Sequence, residues 1–439
     1  MSVSTEKGQK LYKRGKKVIP GGTGLLSKRP EMYLPEQWPC YYSNAQGAEL
    51  TDLDGNHFLD FTTNGVGSCI LGYAHPDINL AVFEAYQNGN MSTLNVPEEV
   101  YLAEELINLH PWADMVRFAR TGGETCSIAA RIARAATNKT KIIICGYHGW
   151  HDWYLGVNLD DKKGLDDLLL PGLEPTGVPN ELSGLVIPFS YGDLDELEAI
   201  FSAHEGEIAA VFMEPCRNSP PAKGFLPGVR RLCDKNDAVL IFDEITTGFR
   251  EVTSGIHIRY GVSPDIAVFG KTISNGTPMS AILGVSSVME ASQNTFISSA
   301  YFTERSGPAA AMKTLQLHNN LEVGPHVEKI GSFVQREWKI IFEKYKIDAK
   351  VAGLPSLANY GFREQNAEKL TFIIQDMMHK GFLVTNQFYP TLAHTHKLAE
   401  SYLSAFEETI EKLCKHLEEN SLEAAIQGPV KHSTFARLL

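Results

Sequence analysis

VLIFDEITTGFR, residues 239–250, and IAVFGKTIS, residues 266–274, decide how this chain folds. In each, a short apolar run stops abruptly at polar residues, Asp243-Glu244 in the first and Gly270-Lys271 in the second. Continuous apolar runs with no alternation belong to strands buried on both faces, as in a mainly parallel sheet. The same pattern recurs at Met115–Phe118, Lys141–Cys145, Ala209–Met213 and Ala281–Val285, with helical stretches at Thr125–Ala136, Asp193–Ala203 and Gly228–Asn236 between them. Strand–helix alternation of this kind predicts an α/β domain with helices on both faces of the sheet.

Outward from this core the pattern changes. Gln9–Val18 reads as a short basic amphipathic helix stopped by Ile19-Pro20-Gly21-Gly22. Ala48–Leu53 and His57–Phe61 flank Asp54-Gly55, which predicts a hairpin with a two-residue turn. After Gly307 a helical region runs to about Tyr345, followed by a strand at Ala349–Val351 and helices at Glu368–Lys380 and Lys397–Glu418. At 439 residues the chain exceeds one ordinary core. The expected division is an N-terminal segment, 1–74, a large domain, 75–310, and a C-terminal small domain, 311–439. The N-terminal hairpin is expected to pack with the last of these as a small α+β lobe.

A net charge of −12 argues against a nucleic-acid surface and against an anionic membrane partner. No apolar run is long enough to span a bilayer, and the basic N-terminus is followed by no apolar signal segment. The seven cysteines are scattered and form no C-x-x-C pair. Reduced thiols in a cytoplasmic enzyme are therefore expected, with neither disulfides nor a structural metal. Cys145 and Cys216 adjoin motifs of interest, but packing is the commoner role of a free cysteine.

Four elements carry chemistry. Asp243 closes a buried strand, and open α/β sheets bind ligands at strand carboxyl ends; by itself it could equally be a solvated acid or a helix cap. Lys271 follows another such strand and a residue without a side chain, a partly desolvated setting that suits Schiff-base chemistry. Alone it could be an ordinary loop lysine. Gly122-Gly123 opens a helix after Arg120-Thr121, where backbone N–H groups can approach an anion, although a plain helix start looks the same. Tyr147-His148-Gly149 follows the strand Lys141–Cys145, where the Tyr147 ring can stack on a flat ligand or simply pack. Together they supply an anion cradle, a ring stack, a carboxylate and a lysine, the set a flat phosphorylated heteroaromatic cofactor needs.

The chain closely resembles the class III, fold type I aminotransferases, in the branch of glutamate-1-semialdehyde 2,1-aminomutase. The resemblance runs from KVIPGG (Lys17–Gly22) through GAELTDLDGNHFLDF (Gly47–Phe61) and ILGYAHP (Ile70–Pro76). It continues through TGGE, YHG, FMEP, IFDEITTGFR and PDIAVFGK to LAHTHK (Leu392–Lys397). It implies a pyridoxal 5'-phosphate enzyme whose large domain holds a mainly parallel mixed sheet flanked by helices. It implies that Lys271 forms the Schiff base and later shuttles protons, and that Asp243 pairs with the pyridine nitrogen. Ile245 and Tyr147 are implied on opposite ring faces, Gly122 and Gly123 on the phosphate, and His148 and Glu214 beside the cofactor. Thr303, five residues before Pro308, is implied to reach the phosphate of a neighbouring subunit, which would make the protein a homodimer with shared active sites.

The chain departs from the family where a substrate would lie. TGLLSKRP follows the Pro20-Gly21-Gly22 turn, with Lys28 and Arg29 out of step with the family's arginine; Asn64-Gly65-Val66-Gly67 stands where a tryptophan is usual. Cys216–Pro221 is shortened and carries Arg217, and Thr303-Glu304-Arg305 replaces the usual T-L-S of T-L-S-G-N-P. These changes resemble aminomutase-like proteins encoded with surface-polysaccharide genes. Arg217, Arg305 and Lys28 are the candidates for a substrate anion, with structural salt bridges as the alternative for the arginines. Transamination between an amino donor and a carbonyl acceptor is the expected activity. Intramolecular amino transfer is the alternative, with Gly156–Glu181 as a candidate lid. Racemisation, decarboxylation and a non-catalytic binding protein of the same fold are further alternatives.

Overall fold

The computed structural model describes residues 3–160, 164–165, 172–216 and 218–433. The chain forms two compact units, Met1–His75 with Pro325–Leu439, and Pro76–Gly324. The boundary expected at 310 falls inside the helix Ser306–Asn320, which belongs whole to the second unit.

The first unit begins with the helix Glu6–Val18 and an antiparallel meander of β1 (Tyr42–Gln46), β2 (Glu49–Asp52) and β3 (His57–Phe61). The turn between β2 and β3 is longer than the Asp54-Gly55 pair suggests. The Asp52 amide donates to the Asn56 carbonyl, and Asp52 Oδ1 accepts from the Asp54 and Asn56 amides. The connection is thus Leu53–Gly55, with Gly55 at φ 90° closing it.

The second unit holds β4 (Met115–Ala119), β5 (Lys141–Cys145), β6 (Val186–Pro188), β7 (Ile208–Met213), β8 (Val239–Asp243), β9 (Ile266–Phe269) and β10 (Ser280–Gly284). They form one sheet in the order β4-β10-β9-β8-β7-β5-β6. The run from β9 to β6 is parallel, and β10 is antiparallel to both neighbours. Every residue of β7, β8, β9 and β10 is buried, which is why these strands show no alternation of polar and apolar residues. Buried side chains lie on both faces: Ile132, Ile142, Phe212 and Ile241 in one cluster, Val211, Leu226, Leu240 and Phe242 in another. The strand β6 was not foreseen: three residues ending in proline at a sheet edge leave no periodic signal. The predicted long helical region is two helices, Ser306–Asn320 and Val323–Lys344, parted at Glu322, which takes φ 48°.

The C-terminal segment completes the first unit. β11 (Ala349–Ala352), β12 (Ala358–Phe362) and β14 (Gln387–Phe388) make a three-stranded antiparallel sheet, while β13 (Phe382–Val384) runs parallel to β3. Trp338, Tyr360, Tyr402 and Phe406 pack in its centre, and Trp338 Nε1 donates to the Tyr402 hydroxyl at 3.0 Å.

Candidate active site

The carboxyl ends of β4, β5, β7, β8 and β9 open on one edge of the large sheet, and each of the motifs singled out above begins there. Asp243 ends β8 and is 3% exposed. Its Oδ2 accepts from His148 Nδ1 at 2.8 Å and lies 3.6 Å from Cys126 Sγ, while its Oδ1 accepts from the Ile245 amide at 3.0 Å. The His148 ring is fully buried and stacks on Phe212, centroids 4.5 Å apart, so its position is set by the sheet itself. The other ring nitrogen, Nε2, has no partner among the described residues.

Lys271 follows β9 directly after Gly270 and takes φ 44°. A side chain in the left-handed region costs about 1 kcal/mol or more, and such strain gathers at functional sites because the surrounding structure has to enforce it. Its Nζ donates to Thr246 Oγ1 at 2.8 Å. Thr246 is itself 5% exposed, and its carbonyl is held by Arg250 Nε at 2.5 Å.

Ile245 links three of the motifs. A Cβ placed on Gly122 would lie 3.0 Å from Ile245 Cδ1, and one on Gly270 3.5 Å from Ile245 Cγ2. The side chain therefore lies against both the helix start after β4 and the residue before Lys271. That helix, Gly122–Thr137, is capped by a box in which Glu124 Oε2 accepts from the Thr121 amide at 3.0 Å and the Thr121 hydroxyl receives the Glu124 amide. The Gly122 and Gly123 amides have no partner among the described residues, as in the first turn of any α-helix, and are thereby open to an anion. The space beside Gly123 is tight: a Cβ there would sit 2.8 Å from the His151 ring, which would have to shift, and one on Gly149 (φ 101°) would lie 2.9 Å from Gly123 Cα.

Tyr147 is 36% exposed, its ring edge-on to buried Tyr154 with centroids 6.1 Å apart. Its amide donates to Glu214 Oε2 at 3.3 Å, and Glu214, 7% exposed after β7, packs against Gly146. Glu214 thus braces the loop that carries Tyr147 and His148. Burial pushes the Cys145 thiol up to about 12 and that of Cys126 well above its ordinary value, so both stay protonated packing groups. All seven cysteines are free. Among the described residues no His, Cys, Asp and Glu cluster could hold a metal, and no helix is long and apolar enough to cross a membrane.

The structure therefore brings Lys271, Asp243, Ile245, Gly122, Gly123, Tyr147, His148 and Glu214 to one sheet edge. Thr303 lies in the 3-10 turn Ala300–Thr303, exposed, its hydroxyl donating to the Ala300 carbonyl at 3.0 Å. Arg305 follows the salt-bridge alternative: Nε and Nη2 both donate to Glu98 Oε1, at 2.8 and 2.6 Å, so its fork already holds a carboxylate. Lys28 ends a 3-10 turn, Leu26–Lys28, in the other unit. Arg217 lies outside the described residues, as does part of the predicted lid Gly156–Glu181. Sequence reasoning missed Thr246, Cys126 and Arg120; the only trace of Thr246 was its place three residues after Asp243.

The residues present fit a pyridoxal phosphate. They offer a lysine amine, a buried carboxylate fixed by a histidine, unpartnered helix amides, and a side chain, Ile245, spanning the distance between amides and lysine.

Comparison with known proteins agrees. The model of the family described as aminotransferase class-III matches residues 33–414. A 3-aminobutyryl-CoA aminotransferase from Cloacimonas acidaminovorans is 31% identical over 81% of this chain and 84% of its own. A glutamate-1-semialdehyde 2,1-aminomutase from Methanothrix thermoacetophila is 33% identical over 81% of this chain and 82% of its own. Among solved structures, an omega-transaminase from Sphaerobacter thermophilus superposes with a TM-score of 0.82 at 24% identity, over 92% of this chain and 97% of its own. That likeness, below a quarter identity, speaks for the fold. Family match, relatives and geometry converge: the chain belongs to the class III aminotransferases, of fold type I.

Proposed function

We propose that the chain is a transaminase that moves an amino group from a donor to a carbonyl acceptor with pyridoxal 5'-phosphate held at Lys271. One observation carries this: Asp243 and Lys271 leave neighbouring parallel strands on the same edge, with Ile245 packed between Gly270 and the free amides at Gly122. When bound, the cofactor supplies an aldehyde for amines and a ring that draws electrons from the bond being broken.

The chain's own residues do the rest. The Lys271 amine would hold the cofactor and, when free, would take and return the α-carbon proton, with Thr246 Oγ1 there to accept its N–H. The Asp243 carboxylate, oriented by His148, keeps the pyridine nitrogen protonated, a preorganised charge of the sort that dominates many active sites. Gly122 and Gly123 hold the phosphate, Ile245 and Tyr147 enclose the ring, and Glu214 fixes the loop under Tyr147.

The functional unit in this reading is a homodimer in the cytoplasm. Helices Pro76–Gln87 and Pro97–Leu109 flank one cleft of about 750 Å³ and expose Leu80, Phe83, Tyr86, Val100 and Tyr101. A surface this apolar favours burial against a second copy, and exposed Thr303 would then reach the other subunit's cofactor phosphate. Seven free thiols suit a reducing compartment. For a substrate anion, Arg217 and Lys28 remain the candidates, and Arg305 would first have to leave Glu98.

The test is spectroscopic. Cofactor-loaded protein should show the absorbance of a lysine-bound cofactor, absent in Lys271→Ala. Glutamate, alanine or the acyl-CoA amine named for the first relative should convert the cofactor to its amine form. Conversion by none of a broad donor panel, with turnover of a single amino aldehyde instead, would establish intramolecular transfer. Lack of any such band in cofactor-loaded protein would overturn both, leaving the binding-protein reading that the presence of Lys271 opposes.

A further inference from the structure

The segment around Thr303 carries two charges, Glu304 and Arg305, that the family's T-L-S-G-N-P element lacks, and both have a countercharge within the unit. Arg305 meets Glu98, 2.6 Å at its nearest. Glu304 meets Arg120, whose Nε lies 2.9 Å from Oε1, with both side chains only 9% exposed. Arg120 does more than pair. Its Nη2 donates to the Phe302 and Glu304 carbonyls at 3.0 and 3.1 Å, so one guanidinium holds the backbone on either side of Thr303. Glu304 in turn accepts from the Ser306 and Gly307 amides at 2.8 and 2.9 Å, tying the segment to the start of the helix Ser306–Asn320. Arg120 itself is the residue before the capping box, and its amide donates to Glu124 Oε2 at 3.2 Å. A buried pair of this kind gains little net stability over apolar packing, yet breaking it by removing one partner is costly. Its contribution is to geometry.

We propose that Arg120 and Glu304 form a clamp that presents Thr303 to the cofactor phosphate of the opposite protomer, so that an ion pair in one subunit sets cofactor affinity in the other. This rests on the reading of Thr303 as a phosphate ligand across a dimer. The clamp residues are positioning residues: neither needs to touch the cofactor.

The test uses hybrid dimers assembled from two differently tagged chains, one bearing Lys271→Ala, so that only the other chain's lysine captures pyridoxal phosphate. Capture is read by borohydride reduction and mass spectrometry across a cofactor titration, without any turnover, and melting temperature is followed beside it. With Arg120→Gln on the Lys271→Ala chain, the cofactor dissociation constant at the remaining lysine should rise about tenfold, the factor for one hydrogen bond to a charged group. With Arg120→Gln on the lysine-bearing chain it should stay within about twofold of the hybrid lacking the substitution, a difference too small for such a bond. Glu304→Gln removes the charge facing Arg120 while keeping one acceptor oxygen for the helix-start amides, and should show the same asymmetry, which guards against an Arg120 variant that folds poorly. Equal losses in both arrangements, or a loss only when the variant shares a chain with the lysine, overturn the clamp. Thr303→Ala in both chains tests the reading beneath it. If cofactor affinity is unchanged there, Thr303 is no phosphate ligand, and that reading fails separately from the clamp geometry.

Discussion

Replacing Thr246 by valine removes one oxygen from the site and almost no volume. Thr246 is buried, so the methyl that takes the hydroxyl's place meets protein rather than water. The backbone stays where it is, because the Thr246 carbonyl is still gripped by Arg250 Nε. What disappears is the acceptor 2.8 Å from Lys271 Nζ. The backbone of Lys271 is already fixed at φ 44°, so the freedom regained is that of the four-carbon side chain. A hydrogen bond involving a charged group contributes about 1.5–3 kcal/mol, so the population of correctly aimed amine should fall by roughly 10- to 150-fold. The assay is capture of pyridoxal phosphate by cofactor-free protein, stopped with borohydride at intervals and read from the mass of the Lys271 peptide. Capture by Thr246→Val should slow at least about tenfold, while Thr246→Ser, which restores the oxygen, should recover most of it. The melting temperature should barely move. Capture by the valine variant within about twofold of the parent rate would show that the hydroxyl does not aim the lysine.

Asp243→Asn keeps the shape of the side chain and removes its charge; kcat should fall by at least about 100-fold, the scale of one lost preorganised electrostatic contact, with cofactor still reducibly bound. Undiminished kcat would disconnect Asp243 from the chemistry. Gly123→Ala should loosen pyridoxal phosphate and cost about 1–3 kcal/mol of stability, since the new methyl meets the His151 ring at 2.8 Å; equilibrium binding and urea unfolding check both. Burial pushes the His110 imidazole down to about 4 from 6.5. Its Nδ1 donates to the Leu106 carbonyl and its Nε2 accepts from the Gly255 amide, both at 2.8 Å, so the added proton has nowhere to go in the fold. The unfolded chain therefore binds more protons between those values. The stability tied to His110, on the order of 3 kcal/mol, is complete above about pH 6.5 and lost as pH falls towards about 4. Urea titrations at pH 7 and pH 5 should show this acid loss in the parent and a smaller one in His110→Gln.

What the sequence made legible follows from burial. Val239–Asp243 and Ile266–Phe269 are buried at every position, so their apolar runs could be recognised without knowing what covers them. Asp243 and the pair Gly270-Lys271 stood out because each ends such a run. Gly122 and Gly123 were legible as a helix start, yet the crowding of Gly123 by the His151 ring depends on a contact that no local pattern records. Thr246 was hidden for a similar cause: threonine in a loop after a strand usually serves turn geometry, and only the return of the chain at Lys271 brings an amine to its hydroxyl. The helices Pro76–Gln87 and Pro97–Leu109 expose Leu80, Phe83, Val100 and Tyr101 on their outer faces, so their sequences show no clean division into an apolar and a polar side.

Arg305 shows why departures from a family pattern cannot be converted directly into specificity. A new arginine in a segment near the cofactor invites a substrate carboxylate, and a planar fork is well suited to hold one. In the fold that fork is closed on Glu98, with the two side chains 24% and 19% exposed. A substrate anion would have to compensate for a carboxylate left behind in a half-buried cleft before contributing any affinity of its own, and removing one partner of a buried pair costs about 3–5 kcal/mol. The same reasoning applies to Glu304 and Arg120, which sit deeper still. Both substitutions thus add internal ties to the segment bearing Thr303 instead of opening it towards a substrate.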